Sequence, residues 1–330
     1  MKQPATAHHL LSRVEELIGP DLIRVEKQFD EELQHTEPFV KDLLSHIGQF
    51  RGKRLRPILV LLSAQAAGGI RPEHTILAAV TEMIHTATLV HDDILDEADI
   101  RRHVATINNR WNNETSVLLG DYLFTHAFHL AASLDTTLAC RLIGASTNKV
   151  CVGELMQIHE RGNHELTEEQ YLRIVDGKTA ELCALCGELG AQYAGADESV
   201  SQSLREYGRS LGIAFQIADD VLDVMGDEAK TGKSLGSDLV KQKLTLPLIR
   251  LLESSTPEKR EQLTAWLEQG DMASRKSLRD ELNAGNAIEE AHHRALEFAQ
   301  QARVSLSGLA DSPARRLLED LTEFAVQRSF

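Results

Sequence analysis

The sequence predicts an all-α fold, and three observations carry that expectation. Apolar residues recur at helical spacing along nearly the whole chain. No alternating period-two run bounded by turn signals stands out. Glycine and proline are scarce, 21 and 8 among 330 residues, which argues against turn-rich β architectures. With 42% hydrophobic residues the chain can bury a large core and is too apolar for a disordered acidic polymer. Length alone suggests about two domains. No low-complexity linker and no repeat of fixed period divides the chain, so we expect a single helical domain over residues 1–330. It should hold about a dozen helices, with residues 1–20 an N-terminal extension or first helix.

In chain order, Leu10, Leu11, Val14, Leu17 and Ile18 form the first helical stripe, and Gly19-Pro20 predicts a break after it. Residues 58–67 and 76–95 are apolar enough for helices buried on most faces. Further breaks are expected at Gly68-Gly69, 101–113, 135–137, 159–167, 226–236, 254–257 and 283–286. Thr167-Glu-Glu-Gln170 reads as a capping box opening the next helix. Residues 180–189 form a helical pattern containing Cys183 and Cys186. A CxxC pair can be redox-active or bind metal, but here two small apolar residues one turn apart in a packed helix is the plainer reading. The N-terminus has no apolar signal core, and the most apolar run, 57–70, is too short to span a bilayer. The expectation is a soluble, cytoplasmic protein.

With 50 acidic and 35 basic residues the net charge is −15, which disfavours nucleic-acid binding because that needs phosphate-neutralising Lys and Arg. Most acids in such a chain are solvated helix surface. Two clusters are not so easily dismissed: Asp92-Asp93-Ile94-Leu95-Asp96 and Asp219-Asp220-Val221-Leu222-Asp223. Each ends a strongly apolar helical run, 78–90 and 211–218. On a helix the first and last Asp of each share a face, where like charges repel. One such cluster could be a solvated helix end. Two near-copies point to hard divalent cations, and Mg²⁺ is typically held by one or two carboxylates plus substrate phosphates.

Basic residues supply the counterpart. Gly52-Lys53-Arg54-Leu55-Arg56-Pro57 precedes a buried helix, and Arg101-Arg102 follows the first Asp cluster. Lys178-Thr179 sits inside a helical pattern, while Gly232-Lys233 and Lys241-Gln242-Lys243 follow the second cluster. Arg binds phosphate as a fork and Lys as a point charge. Singly each is an ordinary surface charge. Together they suggest a site for two diphosphate groups.

In order, Gly-Lys-Arg-Leu-Arg-Pro, Ile84-His85 before His91-Asp-Asp-Ile-Leu-Asp96, Arg101-Arg102, Gly120-Asp121-Tyr122, Lys178-Thr179, Phe215-Gln216-Ile217-Ala218-Asp-Asp-Val-Leu-Asp223, Gly232-Lys233 and Gly236-Ser-Asp-Leu239 before Thr245-Leu-Pro247 resemble the trans-isoprenyl (polyprenyl) diphosphate synthases, and among them the octaprenyl-type long-chain enzymes. One DDxxD is weak, whereas the ordered set is specific. The resemblance implies a homodimeric helical bundle with both Asp clusters facing a central cavity. It implies Mg²⁺ held by Asp92 and Asp96 and by Asp219, three ions with substrate bound, with Asp93, Asp220 and Asp223 as water-mediated or supporting partners. Arg101, Lys178 and Lys233 would neutralise the allylic diphosphate, dimethylallyl, geranyl or farnesyl, with Thr179 and Gln216 nearby and Lys243 a further substrate contact. Lys53, Arg56, His85 and Arg102 would bind isopentenyl diphosphate. Read without the family, His85 is a satisfied core histidine.

Four positions depart from the family pattern: Arg51 and His103 stand where Gly is common, Ala105 where Pro is, and Gln242 where Gly is frequent. None removes a charge the reaction needs. The implied reaction is ionisation, condensation and elimination, with residues 226–243 a candidate lid. Ala87, five residues before Asp92 and about 7.5 Å along the axis, is small, as is Thr88, so the channel should run past them towards Met83. That favours a product beyond twenty carbons over the short farnesyl or geranylgeranyl chain. A class I terpene cyclase is disfavoured by the second true DDxxD, and a non-catalytic partner subunit by the presence of both. Membrane contact should be peripheral at most, through a lipophilic product.

Overall fold

In the computed structural model, which describes residues 7–50, 52, 54–225, 241 and 243–327, the chain is helical throughout apart from one small hairpin. Lys53, Lys233, the departures at Arg51 and Gln242, and the candidate lid except Lys241 and Lys243 lie outside the described residues. The helices are α1 (Ala7–Glu32), α2 (Pro38–Ile47), α3 (Leu55–Ala67), α4 (Pro72–Leu95), α5 (Ile107–Arg110), α6 (Asn113–Ala132), α7 (Leu138–His159), α8 (Glu168–Val175), α9 (Glu181–Ala194) and α10 (Glu198–Met225). They continue with α11 (Leu246–Glu253), α12 (Pro257–Gln269), α13 (Met272–Ala284), α14 (Ala287–Ser305) and α15 (Pro313–Val326). A 3₁₀ turn (Gly48–Phe50) follows α2, and a π-helical segment (Asp176–Ala180) joins α8 to α9. No described helix is long and apolar enough to cross a membrane.

The contacts divide the chain into two compact units. The first comprises Met1–Thr147, Leu182–Gly208 and Ser305–Asp320. Its centre is α4, which packs against α1, α3 and α6. Leu77, Ala78, Val80, Met83, Ile84 and Ala87 are all fully buried, which is why this stretch reads as apolar on most faces. Within this unit α9 crosses its neighbours at backbone contact. A Cβ on Gly187 would lie 2.1 Å from Leu204 O, and one on Gly190 2.5 Å from Val60 O. Cys183 and Cys186 share this packed helix as free thiols, and burial pushes both up, away from the reactive thiolate form.

The second unit comprises Asn148–Glu181, Arg209–Val304 and Leu321–Phe330. Its core joins Tyr171, Ile174 and Val175 to Ile217 and Val221, and runs on to Leu248, Leu263, Leu278 and Ala291. The capping box at the start of α8 forms as expected: Gln170 N–H donates to Thr167 Oγ1 at 3.3 Å and Thr167 N–H to Gln170 Oε1 at 2.9 Å.

One expected break is absent. Helix α1 runs through Gly19-Pro20 without interruption. Proline removes one backbone donor and crowds the carbonyl four residues earlier, at a cost of about 3 kcal/mol. Here Pro20 is exposed, so the displaced carbonyl can turn to water, while Val14 and Ile18 before it and Val25 and Phe29 after it are buried. Burial on both sides outweighs the local penalty. Leu11, counted in the first stripe, is 46% exposed, and Leu10, Val14 and Ile18 carry the packing.

The break expected at 101–113 holds two strands too short to alternate visibly, β1 (Ile100–Arg101) and β2 (Val104–Ala105), antiparallel with Ile100 opposite Ala105. Arg102 and His103 form the turn, with φ of 51° and 66°. Two consecutive positive φ values are those of a type I′ hairpin turn, where Gly and Asn are preferred. His103 thus occupies a left-handed position that the Gly common in the family would take without strain.

Candidate active site

Each unit holds one of the Asp clusters, built on one plan. In the first unit, α4 ends at Leu95 and Asp96 caps it, its N–H bonded to Asp92 O at 2.8 Å. Three carboxylates thus gather at a helix C-terminus, the end whose dipole disfavours anions. Helical periodicity turns Asp92 and Asp96 half-exposed onto one face and Asp93 inward, where it is 1% exposed. The buried charge is answered by Arg101, whose Nε and Nη2 donate to Asp93 Oδ1 at 2.8 and 2.7 Å. Strand β1 exists in effect to bring this guanidinium back over the helix end.

Basic residues crowd His85 on the same helix. The His85 pKa is held well below its ordinary value of 6.5, first by desolvation and then by Arg56, Arg102, Arg101 and Arg54. Desolvation and the positive potential of four guanidiniums thus favour the neutral imidazole at His85, and that potential suits a polyanion. Arg54 is committed to structure: it donates to Glu82 Oε1 at 2.8 Å and lies 5.1 Å over the Phe29 ring. Two buried guanidinium nitrogens here, Arg54 Nη2 and Arg56 Nε, meet no acceptor among the described residues. Arg102 donates from Nη1 to Phe50 O, and its guanidinium lies so close to Gly52 that a Cβ there would be 2.4 Å from Nη1. A side chain at Gly52 would therefore push the Arg102 guanidinium aside. On α4, Met83 and Ala87 are fully buried, and half-buried Thr88 donates its hydroxyl to His85 O at 2.7 Å.

In the second unit the plan repeats with different partners. Asp219 and Asp223 are half-exposed on α10, and Asp220 between them is 4% exposed. The Asp220 carboxylate accepts from the Tyr171 hydroxyl at 2.6 Å through Oδ2 and from Gln216 Nε2 at 2.8 Å through Oδ1. Gln216 Oε1 in turn accepts from Thr179 Oγ1 at 3.0 Å. Asp220, Tyr171, Gln216 and Thr179, with Lys178, Lys243, Gln157 and Glu160, line a cavity of about 130 Å³ whose other walls include Leu166, Ile174 and Leu244.

Lys178 and Thr179 owe their place to a backbone contact. A Cβ on Gly153 of α7 would lie 2.4 Å from Lys178 N and 2.8 Å from Gly177 C. Only glycine lets α7 and the π-helical segment meet this closely, and π-helical turns recur at functional sites. The crossing sets Glu154 beside Lys178, with which it forms an ion pair, and Gln157 beside both lysines. With its amide oxygen turned towards them, Gln157 accepts from Lys243 Nζ at 3.1 Å and Lys178 Nζ at 3.3 Å.

The structure thus gathers Arg56, His85, Arg101 and Arg102 in one unit, and Lys178, Thr179, Gln216, Asp220 and Lys243 in the other. Tyr171, Glu154 and Gln157 are site residues that the motifs did not single out. The signal was faint: a tyrosine at a core position of α8 needs a partner for its hydroxyl. The donor set also fits the cation that the clusters imply. Each offers two half-exposed carboxylates on one helix face, hard oxygen donors of the kind Mg²⁺ takes.

Comparison with known proteins gives the chain a family. Residues 37–283 match the sequence profile of the family described as polyprenyl synthetase. The chain is 37% identical over 321 residues to the octaprenyl diphosphate synthase of Escherichia coli (strain K12), covering 96% of this chain and 99% of that protein. The crystal structure of a decaprenyl diphosphate synthase from Rhodobacter capsulatus matches with a TM-score of 0.91 at 35% identity, over 96% of this chain and 98% of that one. That of a polyprenyl synthase from Caulobacter crescentus CB15, complexed with calcium and isoprenyl diphosphate, matches with a TM-score of 0.93 at 32% identity, over 99% of each chain. By profile, by identity along nearly the whole chain and by fold, the chain belongs to the polyprenyl synthetase family.

Proposed function

We infer that this enzyme is a prenyltransferase that condenses isopentenyl diphosphate onto an allylic diphosphate, making an all-trans polyprenyl diphosphate of more than twenty carbons. The observation that carries the site assignment is the plan shared by both clusters: a half-exposed pair of carboxylates flanking a buried one already bonded by the protein. Asp92 and Asp96, and Asp219, would hold Mg²⁺, three ions with substrate bound. Mg²⁺, when bound, would stabilise the negative charge developing on the leaving diphosphate. Arg101, Lys178 and Lys233 would neutralise remaining oxygens of the allylic diphosphate, with Thr179, Gln216 and Lys243 as polar contacts. Lys178 would exchange Glu154 for phosphate oxygen as substrate enters. Lys53, Arg56 and Arg102 would hold isopentenyl diphosphate, and neutral His85 would add a hydrogen bond.

In the reaction the allylic C–O bond breaks and diphosphate leaves with the electron pair. The isopentenyl double bond attacks the allylic cation, forming a C–C bond. A proton then leaves to restore an alkene, with the departing diphosphate as its acceptor. The enzyme would act as a homodimer in the cytoplasm. Exposed Val117 and Leu118 on α6, and exposed Val152 and Leu155 on α7, support pairing with a second copy, which light scattering would measure.

Incubation with Mg²⁺, isopentenyl diphosphate and dimethylallyl, geranyl or farnesyl diphosphate, followed by chromatography, tests the whole reading. The expected result is a product ladder ending beyond twenty carbons. A ladder that stops at or below that length would overturn the long-chain reading, and no condensation with any primer would overturn the activity.

A further inference from the structure

Tyr171 is 5% exposed in the apolar core of the second unit, among Ile174, Ile217, Val221 and Leu244. A phenyl ring would fill that space equally well, and a buried hydroxyl costs free energy unless it is bonded. The hydroxyl donates to Asp220 Oδ2 at 2.6 Å, within the range of charge-assisted O–H···O⁻ bonds. The other oxygen of that carboxylate accepts from Gln216 at 2.8 Å, and Gln216 accepts from Thr179 at 3.0 Å. A directed chain therefore runs from Thr179 through Gln216 to Asp220, and Tyr171 closes it from the opposite side.

The geometry of α10 gives this contact its reach. Successive residues are turned by about 100° around a helix axis. Fixing Asp220 inward therefore fixes where Asp219 and Asp223 point. Arg101 performs the equivalent task for Asp93 in the first cluster, with a cation in place of a neutral donor. We propose that Tyr171 is a positioning residue of the second aspartate cluster: through Asp220, its hydroxyl holds α10 in the rotation that presents Asp219 and Asp223 to metal. This rests on the reading of Asp219 as a metal ligand. Residues that orient ligands from behind typically change metal affinity or activity by about 10–100-fold when removed.

The test is Tyr171→Phe, which keeps the ring. Three quantities are measured: Mn²⁺ binding by electron paramagnetic resonance with an unreactive allylic thiolodiphosphate present, the Mg²⁺ concentration for half-maximal turnover, and KM for isopentenyl diphosphate. We expect Mn²⁺ affinity to fall, and half-saturating Mg²⁺ to rise, by about 10-fold, with KM for isopentenyl diphosphate unchanged. In an Asp220→Asn background the same substitution should add nothing to the metal shift, because its route is gone. An unchanged metal titration, even with a lowered Tm, would overturn the proposal, and so would additive effects in the double variant. Should Tyr171→Phe not fold, Asp220→Asn alone decides, since metal binding equal to wild type would show that nothing is relayed through that carboxylate. Failure of the underlying reading looks different: Asp219→Ala would then bind Mn²⁺ as well as wild type.

Discussion

His85 sits where its charge is least welcome, and that has a thermodynamic signature. Its folded pKa is depressed by desolvation and by Arg56, Arg102, Arg101 and Arg54, while in the unfolded chain it titrates near 6.5. His74, buried and bonded to Gly190 O at 3.0 Å, is depressed in the same direction by desolvation. Below pH 6.5 the unfolded state therefore binds more protons than the native state, so stability is full above that pH and is lost as pH falls. Urea midpoints should drop between about pH 7 and pH 5, and His85→Gln should flatten that slope. A second prediction concerns the hairpin turn. A non-glycine residue in the left-handed region costs about 1–2 kcal/mol, so His103→Gly should raise unfolding free energy by about 1 kcal/mol in urea titrations. At this scale the motifs exposed the charged residues but hid their partners. Asp220 is legible as part of DDxxD, whereas Tyr171 lies far from it in sequence and shows only as one more apolar-face residue of α8.

Among the elements, the π-helical segment has the most to lose. Its seat against α7 depends on Gly153, where a Cβ would strike backbone atoms of Gly177 and Lys178 rather than a side chain that could swing away. Gly153→Ala should therefore displace Lys178 and Thr179, cutting kcat by at least about 10-fold while circular dichroism still shows a helical protein. In α4 Ala87 is small and fully buried, five residues before Asp92. Ala87→Phe should shorten the product ladder on chromatography, and an unchanged ladder would remove the channel from this face. Helix α4 is plain in the sequence because apolar residues fill most of 76–90, with Thr81, Glu82, His85, Thr86 and Thr88 the polar exceptions. At Gly19-Pro20 in α1 local propensity marks a break, whereas the decision rests with Ile18 and Val25 packed on either side. The π-helical turn left no trace, since Asp176-Gly-Lys-Thr-Ala180 continues an ordinary helical pattern.

For the molecule as a whole, the site is set against the stability of its scaffold. Both clusters crowd like charges on one helix face, the first at a helix C-terminus. Asp92→Ala and Asp219→Ala should each lower turnover by orders of magnitude. In the absence of metal they should leave Tm unchanged or slightly raised, as differential scanning calorimetry would show. Near-normal turnover in either variant would sink the metal assignment. The surplus of fifteen negative charges carries over into the structure in finer grain, with six of the acids in the clusters and a minority of placed Arg and Lys inverting the sign locally.

The inward turn of Asp93 and Asp220 bears on anyone who would transplant the motif. A DDxxD grafted onto another helix carries its first and last letters intact, because those face solvent. The second letter is addressed to the host's interior. Without a counterpart such as Arg101, or the Tyr171 and Gln216 pair, it would stand there as an uncompensated buried charge costing several kcal/mol. The portable unit is therefore the pentapeptide together with a receptor for its second residue, encoded elsewhere in the chain.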